Sequence, residues 1–198
     1  MRVPRAIAIA AACVTLPLLN LIVGTACHEV IGHGMTGLLC GGRIRFVEIL
    51  GFEVWPRPTW LGWPDAYGHC HIQAIPTHTG ELAMRLGGSL STWLVSVLAI
   101  TALWVRHWRG LPRLALVCLG TWWIDLLTYT LPSWGFRRSI LWGPVHSEPY
   151  QAATSLGMPG ALFQALVVVS STLLAGALIL RLLRDRASVG RRNDEPPP

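Results

Sequence analysis

The chain has 198 residues, of which 52% are hydrophobic and only 13% are charged. A soluble domain averages roughly 25% charged residues, so this chain has too little polar surface to cover a soluble globule. Its net charge is +6, and all 16 basic residues are arginine. The composition excludes intrinsic disorder and a nucleic-acid-binding domain for most of the chain, and it indicates an integral membrane protein whose main partner is the lipid bilayer.

Four apolar segments are long enough to cross a bilayer, which takes about 20 residues. They predict helices over residues 6–39, 82–105, 111–131 and 159–183. The loop over 41–80 contains two stretches of partial apolar–polar alternation, which predict short strands at the membrane surface. The predicted fold is therefore an all-α polytopic membrane protein with a small β element between helices 1 and 2. It forms a single domain over 1–184, followed by a disordered polar tail over 185–198.

Arginine is distributed unevenly between the two sides of this four-helix arrangement. Ten arginines lie at the N-terminus, in the 106–113 loop and towards the C-terminus, against five in the two loops of the opposite side. Arginine is enriched in the cytoplasmic loops of membrane proteins. We therefore expect both termini to be cytoplasmic. The lysine-free, Ala- and Leu-rich composition is compatible with a bacterial cell membrane.

Where the first apolar segment ends, residues 28–33 have the sequence His-Glu-Val-Ile-Gly-His. Ionisable residues inside a bilayer are costly, so such a cluster indicates function. Neutral imidazoles bind zinc, and a neighbouring glutamate that is not a ligand can take a proton from the water that the metal activates. We therefore predict that His28 and His33 bind Zn²⁺ and that Glu29 is the general base. The competing interpretation is that they are polar residues at a helix end near the headgroups.

The two histidines are one residue further apart than in the usual His-Glu-x-x-His motif. At about 100° per residue, five steps along an α-helix separate two side chains by about 140°. His28 and His33 can share a metal only if the helix between them widens into a π-turn or breaks, and the neighbouring Gly32 and Gly34 make such a distortion easier. Their imidazole nitrogens should then lie about 3–3.5 Å apart.

The order of these segments resembles that of the site-2 protease family of intramembrane zinc metalloproteases. Residues 28–34, followed by Gly-Gly-Arg-Ile at 41–44, are similar to the family's first helix and the turn into its strands. Residues 80–88 are similar to its second conserved membrane segment, and residues 147–160 to its third motif, in which an Asp-Gly supplies the third metal ligand. The resemblance runs discontinuously over roughly 10–165. It implies a metalloendopeptidase that cleaves transmembrane or membrane-associated proteins.

Two features depart from the family pattern: the extra residue between the histidines, and Glu148-Pro149 in place of the Asp-Gly. Glutamate is a competent zinc ligand, so Glu148 is the first candidate for the third ligand. Asp125, a carboxylate within the third apolar segment, is the second candidate. It would act as a ligand, support a ligating histidine, or pair only with a hydroxyl such as that of Thr128. His146 is the third candidate.

Alternatives to a peptidase also follow from these residues. One is an inactive relative that acts as a membrane scaffold or binding protein. The other is a small metal-handling transporter, although such proteins are often built on repeats and the sequence shows none. His69 and His71 alternate in a predicted strand and should face the same way. They indicate a second metal site, a substrate-facing edge, or simply solvated loop histidines.

Overall fold

The structure is a computed structural model that describes residues 5–62, 67–138 and 146–193. Four helical stretches within these residues are long and apolar enough to cross a membrane: Val14–Leu39, His78–Val105, Gly110–Trp134 and Gly160–Arg186. Large apolar side chains such as Leu98 and Leu173 are exposed on these helices, as expected for surfaces that face lipid. The prediction of a polytopic helical membrane protein is confirmed.

The helical elements follow one another with short interruptions. The first spanning stretch consists of α1 (Arg5–Ala26), a π-helix (Cys27–Met35) and α2 (Thr36–Leu39) without a break between them. The remaining helices are α3 (His78–Val105), α4 (Gly110–Leu119), α5 (Trp123–Thr130), a 3₁₀ turn (Leu131–Trp134), α6 (Glu148–Ser155) and α7 (Gly160–Asn193).

Helix α7 is longer than the sequence predicted. It continues to Asn193, beyond the predicted end at residue 183, so residues 185–193 of the predicted disordered tail are helical. Leucine, arginine and alanine, which have high helix propensity, dominate residues 180–187 and allow the helix to continue beyond its apolar span. Residues 194–198 of the predicted tail lie outside the described residues.

A four-stranded antiparallel sheet lies between α2 and α3, which confirms the predicted β element. Its strands are β1 (Arg43–Ile49), β2 (Phe52–Trp55), β3 (Thr59–Trp60) and β4 (Gly68–Gln73), in the order β3-β2-β1-β4. Side chains from one face of β1 and β4 pack on the first spanning stretch: Ile44 and Cys70 lie beside Gly34, and Ile72 lies beside Gly37. The edge strand β4 is thereby held against the π-helix.

Helix α3 meets the π-helix at glycine residues. A Cβ atom on Gly32 would collide with the backbone of Gly88 and lie 2.7 Å from the carbonyl oxygen of Gly87. A Cβ atom on Gly87 would lie 2.5 Å from the carbonyl oxygen of Gly32. Small residues let membrane helices approach closely and pack through their backbones. This contact places α3 directly against the segment that carries His28 and His33.

Helix α5 is attached to α3 through Ser96, which is fully buried. The Ser96 hydroxyl donates to the carbonyl oxygen of Gly120 at 2.9 Å and accepts from the backbone amide of Trp123 at 3.0 Å. The hydroxyl thus satisfies a backbone amide at the start of α5, which has no partner within its own helix. This attachment sets the position of Asp125, two residues further along the chain.

We predict that Gly87→Ala lowers the free energy of unfolding by about 1–3 kcal/mol, because the added methyl group meets backbone atoms that cannot rotate away. The matched control is Gly176→Ala in α7, where a Cβ atom would have no neighbour within 4 Å. The control should be neutral or stabilise the helix by up to about 1 kcal/mol. Denaturant unfolding in detergent micelles measures both; equal effects of the two substitutions would contradict the packing argument.

Candidate metal centre

The first spanning stretch widens where the histidine spacing requires it. Residues Cys27–Met35 form a π-helix, in which the backbone bonds join residues five apart. His28 and His33 are both buried, and their Nε2 atoms are 3.1 Å apart. The prediction that a π-turn brings the two imidazoles together at about 3–3.5 Å is confirmed.

Each imidazole is held through its other nitrogen by an oxygen atom. His28 Nδ1 lies 2.7 Å from Asp125 Oδ2, and His33 Nδ1 lies 2.8 Å from the backbone oxygen of Met84. A carbonyl oxygen and a carboxylate only accept hydrogen bonds, so Nδ1 carries the proton and donates in both rings. In neutral rings, the two Nε2 atoms that face each other therefore both present lone pairs.

Two buried lone pairs at this distance repel each other unless a metal ion or a proton lies between them. The separation of 3.1 Å suits one metal ion with bonds of about 2.0–2.1 Å to each nitrogen. The space beside the pair is kept open by Gly88, where a Cβ atom would lie 2.5 Å from each Nε2 atom. His28, Glu29 and His33 thus form a buried group that could hold a metal ion.

Two carboxylates lie beside the histidine pair. Glu148 Oε2 is 3.8 Å from His33 Nε2. Two ligand atoms on one zinc ion are at most about 4 Å apart, because each bond is about 2.0–2.2 Å long. Glu29 is 4% exposed, and one of its oxygens lies within 4.8 Å of both histidine ligand atoms. Either carboxylate could therefore bind a metal ion held by the two histidines. Glu148 Oε2 is close enough to His33 Nε2 for both atoms to bind the same ion.

The carboxylate of Glu29 lies against strand β4. A Cβ atom on Gly68 would lie 2.8 Å from Glu29 Oε1, and the backbone amide of Cys70 donates a hydrogen bond to the carboxylate. Burial raises the pKa of the Cys70 thiol to about 11, with the nearby Glu29 contributing. In the absence of a metal ion, Cys70 is therefore a neutral thiol at physiological pH.

Asp125 lies behind His28, on the side of the ring that faces away from His33. Its Oδ2 atom also accepts from the hydroxyl of Thr92 at 2.8 Å. This geometry matches support of a ligating histidine, the second of the roles considered for Asp125. The hydroxyl partner is Thr92 rather than Thr128, whose hydroxyl donates to the backbone oxygen of Asp125.

Arg138 contacts both groups that hold His28. Its Nη2 atom is 3.4 Å from Asp125 Oδ1, and its guanidinium carbon lies 3.1 Å from the centre of the Tyr129 ring. The Tyr129 ring in turn stacks on His28, with ring centres 4.8 Å apart and planes 14° from parallel. The contacts thus form a ring of four side chains: Arg138, Asp125, His28 and Tyr129. They restrict both the position and the rotation of the His28 imidazole.

His33 and Glu29 line a cavity of about 750 Å³ that is bordered by β4, α3 and α6. His146 lines this cavity together with Glu148. His69 and His71 also line it, and both rings pack against Phe46 on the neighbouring strand, so they share one face of β4 as predicted. Two predicted site residues lie behind this lining: His28 contacts His33, and Asp125 contacts His28.

No family model matches the chain, and no curated protein or solved structure matches it either. The similarity to site-2 proteases therefore stays a prediction from the sequence motifs.

Sequence reasoning did not identify several residues that shape the site: Met84, Gly88, Thr92, Tyr129 and Arg138. The Gly-Gly pair at 87–88 is a usable signal, because small residues inside an apolar helix indicate a close helix contact. Tyr129 lies four residues after Asp125 and so on the same face of α5. The contributions of Met84, Thr92 and Arg138 depend on tertiary packing and have no local signal.

We predict that Gly88→Ala loses the bound metal, because the methyl group would lie 2.5 Å from both Nε2 atoms and force the rings apart. The metal content of the purified protein, measured after equilibration with excess metal, tests this. Gly176→Ala is the control and should retain full metal content, since it adds a methyl group in open space. Full metal content in both variants would show that the metal does not lie beside Gly88.

Removing the groups behind His28 should weaken metal binding while leaving the two histidines in place. Asp125→Ala is expected to reduce metal affinity about 10–100-fold, because a ligating histidine that loses its supporting partner is no longer held in place. Arg138→Ala should also reduce the affinity, since Arg138 contacts Asp125. Arg137→Ala is the matched control, since Arg137 is exposed and precedes Arg138 directly. Competition with a chelator of known affinity gives the constants; equal affinity in all three variants would contradict the supporting role.

Proposed function

We propose that the protein is an intramembrane zinc metalloendopeptidase that cleaves membrane-associated proteins. The observation that carries the proposal is the pair of Nδ1-protonated histidines whose Nε2 atoms face each other at 3.1 Å beside the buried Glu29. Two imidazoles and a carboxylate are the ligand set of several hydrolytic zinc enzymes. The order of motifs along the chain, similar to that of site-2 proteases, supports a peptidase rather than another hydrolase.

The depth of the histidine pair supports a substrate within or next to the bilayer. Gly88, which faces both Nε2 atoms, lies in the interior of the 28-residue helix α3. At 1.5 Å per residue it is about 15 Å from the start of that helix. The reacting groups thus lie well inside an apolar spanning segment, and the cavity gives them access from the side of the sheet.

His28 and His33 would hold the zinc ion through Nε2, and Glu148 would complete the protein ligands through its carboxylate. When bound, the zinc ion would polarise the peptide carbonyl and lower the pKa of a water molecule. Glu29, which is not needed as a ligand, would take a proton from this water molecule while the water oxygen bonds to the carbonyl carbon. Glu29 would then give the proton to the amide nitrogen as the C–N bond breaks, which releases a carboxylic acid and an amine.

The position of β4 suits a peptide substrate. A transmembrane helix must unwind locally before cleavage, because its carbonyl groups are hydrogen-bonded within the helix. β4 is an edge strand of the sheet, and its residues Gly68 and Cys70 contact Glu29. An edge strand presents unpaired backbone groups that can bind an extended peptide as an added strand. An unwound substrate bound in this way would bring its backbone to Glu29.

Substituting each glutamate in turn should distinguish the proposed metal ligand, Glu148, from the proposed general base, Glu29. Glu29→Gln should keep about one zinc ion per chain and lose about 10²–10⁴-fold in cleavage rate, because only proton transfer is removed. Glu148→Gln and His28→Ala should lose both zinc and cleavage. Elemental analysis and a fluorogenic peptide library in detergent micelles provide the two measurements. Equal zinc content in all variants would refute the ligand assignment, whereas wild-type protein that binds zinc and cleaves nothing would favour an inactive binding protein.

We also propose that both termini lie in the cytoplasm of a bacterial cell, as the ten-to-five distribution of arginine indicates. Reporter fusions at residue 60, within the sheet segment, and at residue 190, near the C-terminus, test this orientation. The fusion at 190 should report the cytoplasm and the fusion at 60 the opposite side. A cytoplasmic signal at residue 60 would reverse the orientation, and the same side for both fusions would contradict the four spans.

A further inference from the structure

The end of the helix bundle that lies away from the sheet is rich in arginine. We define the basic end as residues 104–113, which join α3 to α4, and residues 181–186 of α7. It contains six arginines: Arg106, Arg109, Arg113, Arg181, Arg184 and Arg186. The same two segments contain one carboxylate, Asp185. This end of the bundle therefore carries a large local excess of positive charge.

Two of the six guanidinium groups are used within the fold. Arg181 Nη1 is 2.8 Å and Arg113 Nη2 is 3.1 Å from the carboxylate of Asp185. Arg181 is buried, and its Nε atom donates to the carbonyl oxygen of Leu103 in the last turn of α3 at 2.6 Å. The other four arginines have no carboxylate partner within the described residues. All four are exposed: Arg106, Arg109, Arg184 and Arg186.

Two tryptophans hold part of this charge at the level where the apolar span ends. Arg184 lies over the Trp104 ring with its guanidinium carbon 4.7 Å from the ring centre, and Arg106 lies 5.0 Å over Trp108. The Trp108 indole donates to the carbonyl oxygen of Ala102 at 2.9 Å, which fixes its ring at the end of α3. Tryptophan rings favour the headgroup region of a bilayer. The unpaired guanidinium groups are therefore presented at headgroup depth.

We propose that the basic end binds the headgroups of anionic phospholipids. A guanidinium group matches a phosphate with two parallel hydrogen bonds, and several arginines at one surface favour lipids with net negative charge over zwitterionic ones. A lipid fits these arginines better than a soluble acidic partner, because the tryptophans place them at the membrane surface. The inference is independent of the proposed peptidase activity, since the metal centre lies towards the opposite end of α3.

The full-length protein in nanodiscs of mixed phosphatidylcholine and phosphatidylglycerol tests this directly. Native mass spectrometry of the released protein counts the retained lipids of each class. The wild type should retain phosphatidylglycerol preferentially. In the triple variant Arg106→Gln, Arg109→Gln and Arg184→Gln, the ratio of retained phosphatidylglycerol to phosphatidylcholine should fall about fivefold for each charge removed. The corresponding triple lysine variant should keep most of the preference, because the charges remain.

The matched control removes the same number of charges from the sheet side, through Arg43→Gln, Arg45→Gln and Arg57→Gln, all of them exposed residues. This control should retain the wild-type preference. The single variant Arg109→Gln covers the case in which the triple variant fails to fold, because the Arg109 side chain is exposed and makes no hydrogen bond, ion pair or ring contact with the described residues. Zinc content should stay unchanged in every variant, so the test does not depend on the metal centre. No preference in the wild type, or equal losses in the two glutamine triples, would overturn the proposal.

Discussion

The site depends on two hydrogen bonds that keep the proton of each histidine on Nδ1. Asp125 accepts from His28 and the Met84 carbonyl accepts from His33, so the two Nε2 atoms face each other as lone pairs 3.1 Å apart. In a buried, largely apolar setting this arrangement is unfavourable without a cation. The fold thus holds two strong ligands in one place before any metal arrives, which is the preorganisation that a metal site in a bilayer needs.

The rest of the fold stabilises the unusual backbone that this arrangement requires. A π-helix is rare and survives where its surroundings compensate for its poorer geometry. Here the compensation comes from tertiary contacts on two sides: α3 packs through Gly87 and Gly88 on one, and β4 packs through Cys70 on the other. The same two elements supply the Met84 carbonyl and the contacts of Glu29. Packing and chemistry therefore use the same surfaces, and a change in either should affect both.

The features that could be predicted from the sequence are those encoded by local spacing. The five-step interval from His28 to His33 implied a widened helix because only a π-turn aligns both rings, and apolar length alone located the four spans. The partners of Asp125 could not be predicted, since they depend on Ser96 attaching α5 to α3 and on the chain returning at Arg138 after a left-handed turn at Gly135. The polar residues after 183 suggest disorder, yet the leucine, arginine and alanine residues at this point favour a helix, and α7 continues to Asn193.

The central claim is that His28 and His33 bind one metal ion together. X-ray absorption at the zinc edge of the purified, zinc-loaded protein tests it most directly, because the spectrum reports both the bond lengths and the presence of imidazole rings. The account predicts nitrogen and oxygen ligands at about 2.0–2.2 Å, with outer-shell scattering from two imidazoles that falls when either histidine is replaced by alanine. A spectrum with sulfur at about 2.3 Å, or one whose imidazole scattering is unchanged in both alanine variants, would contradict it.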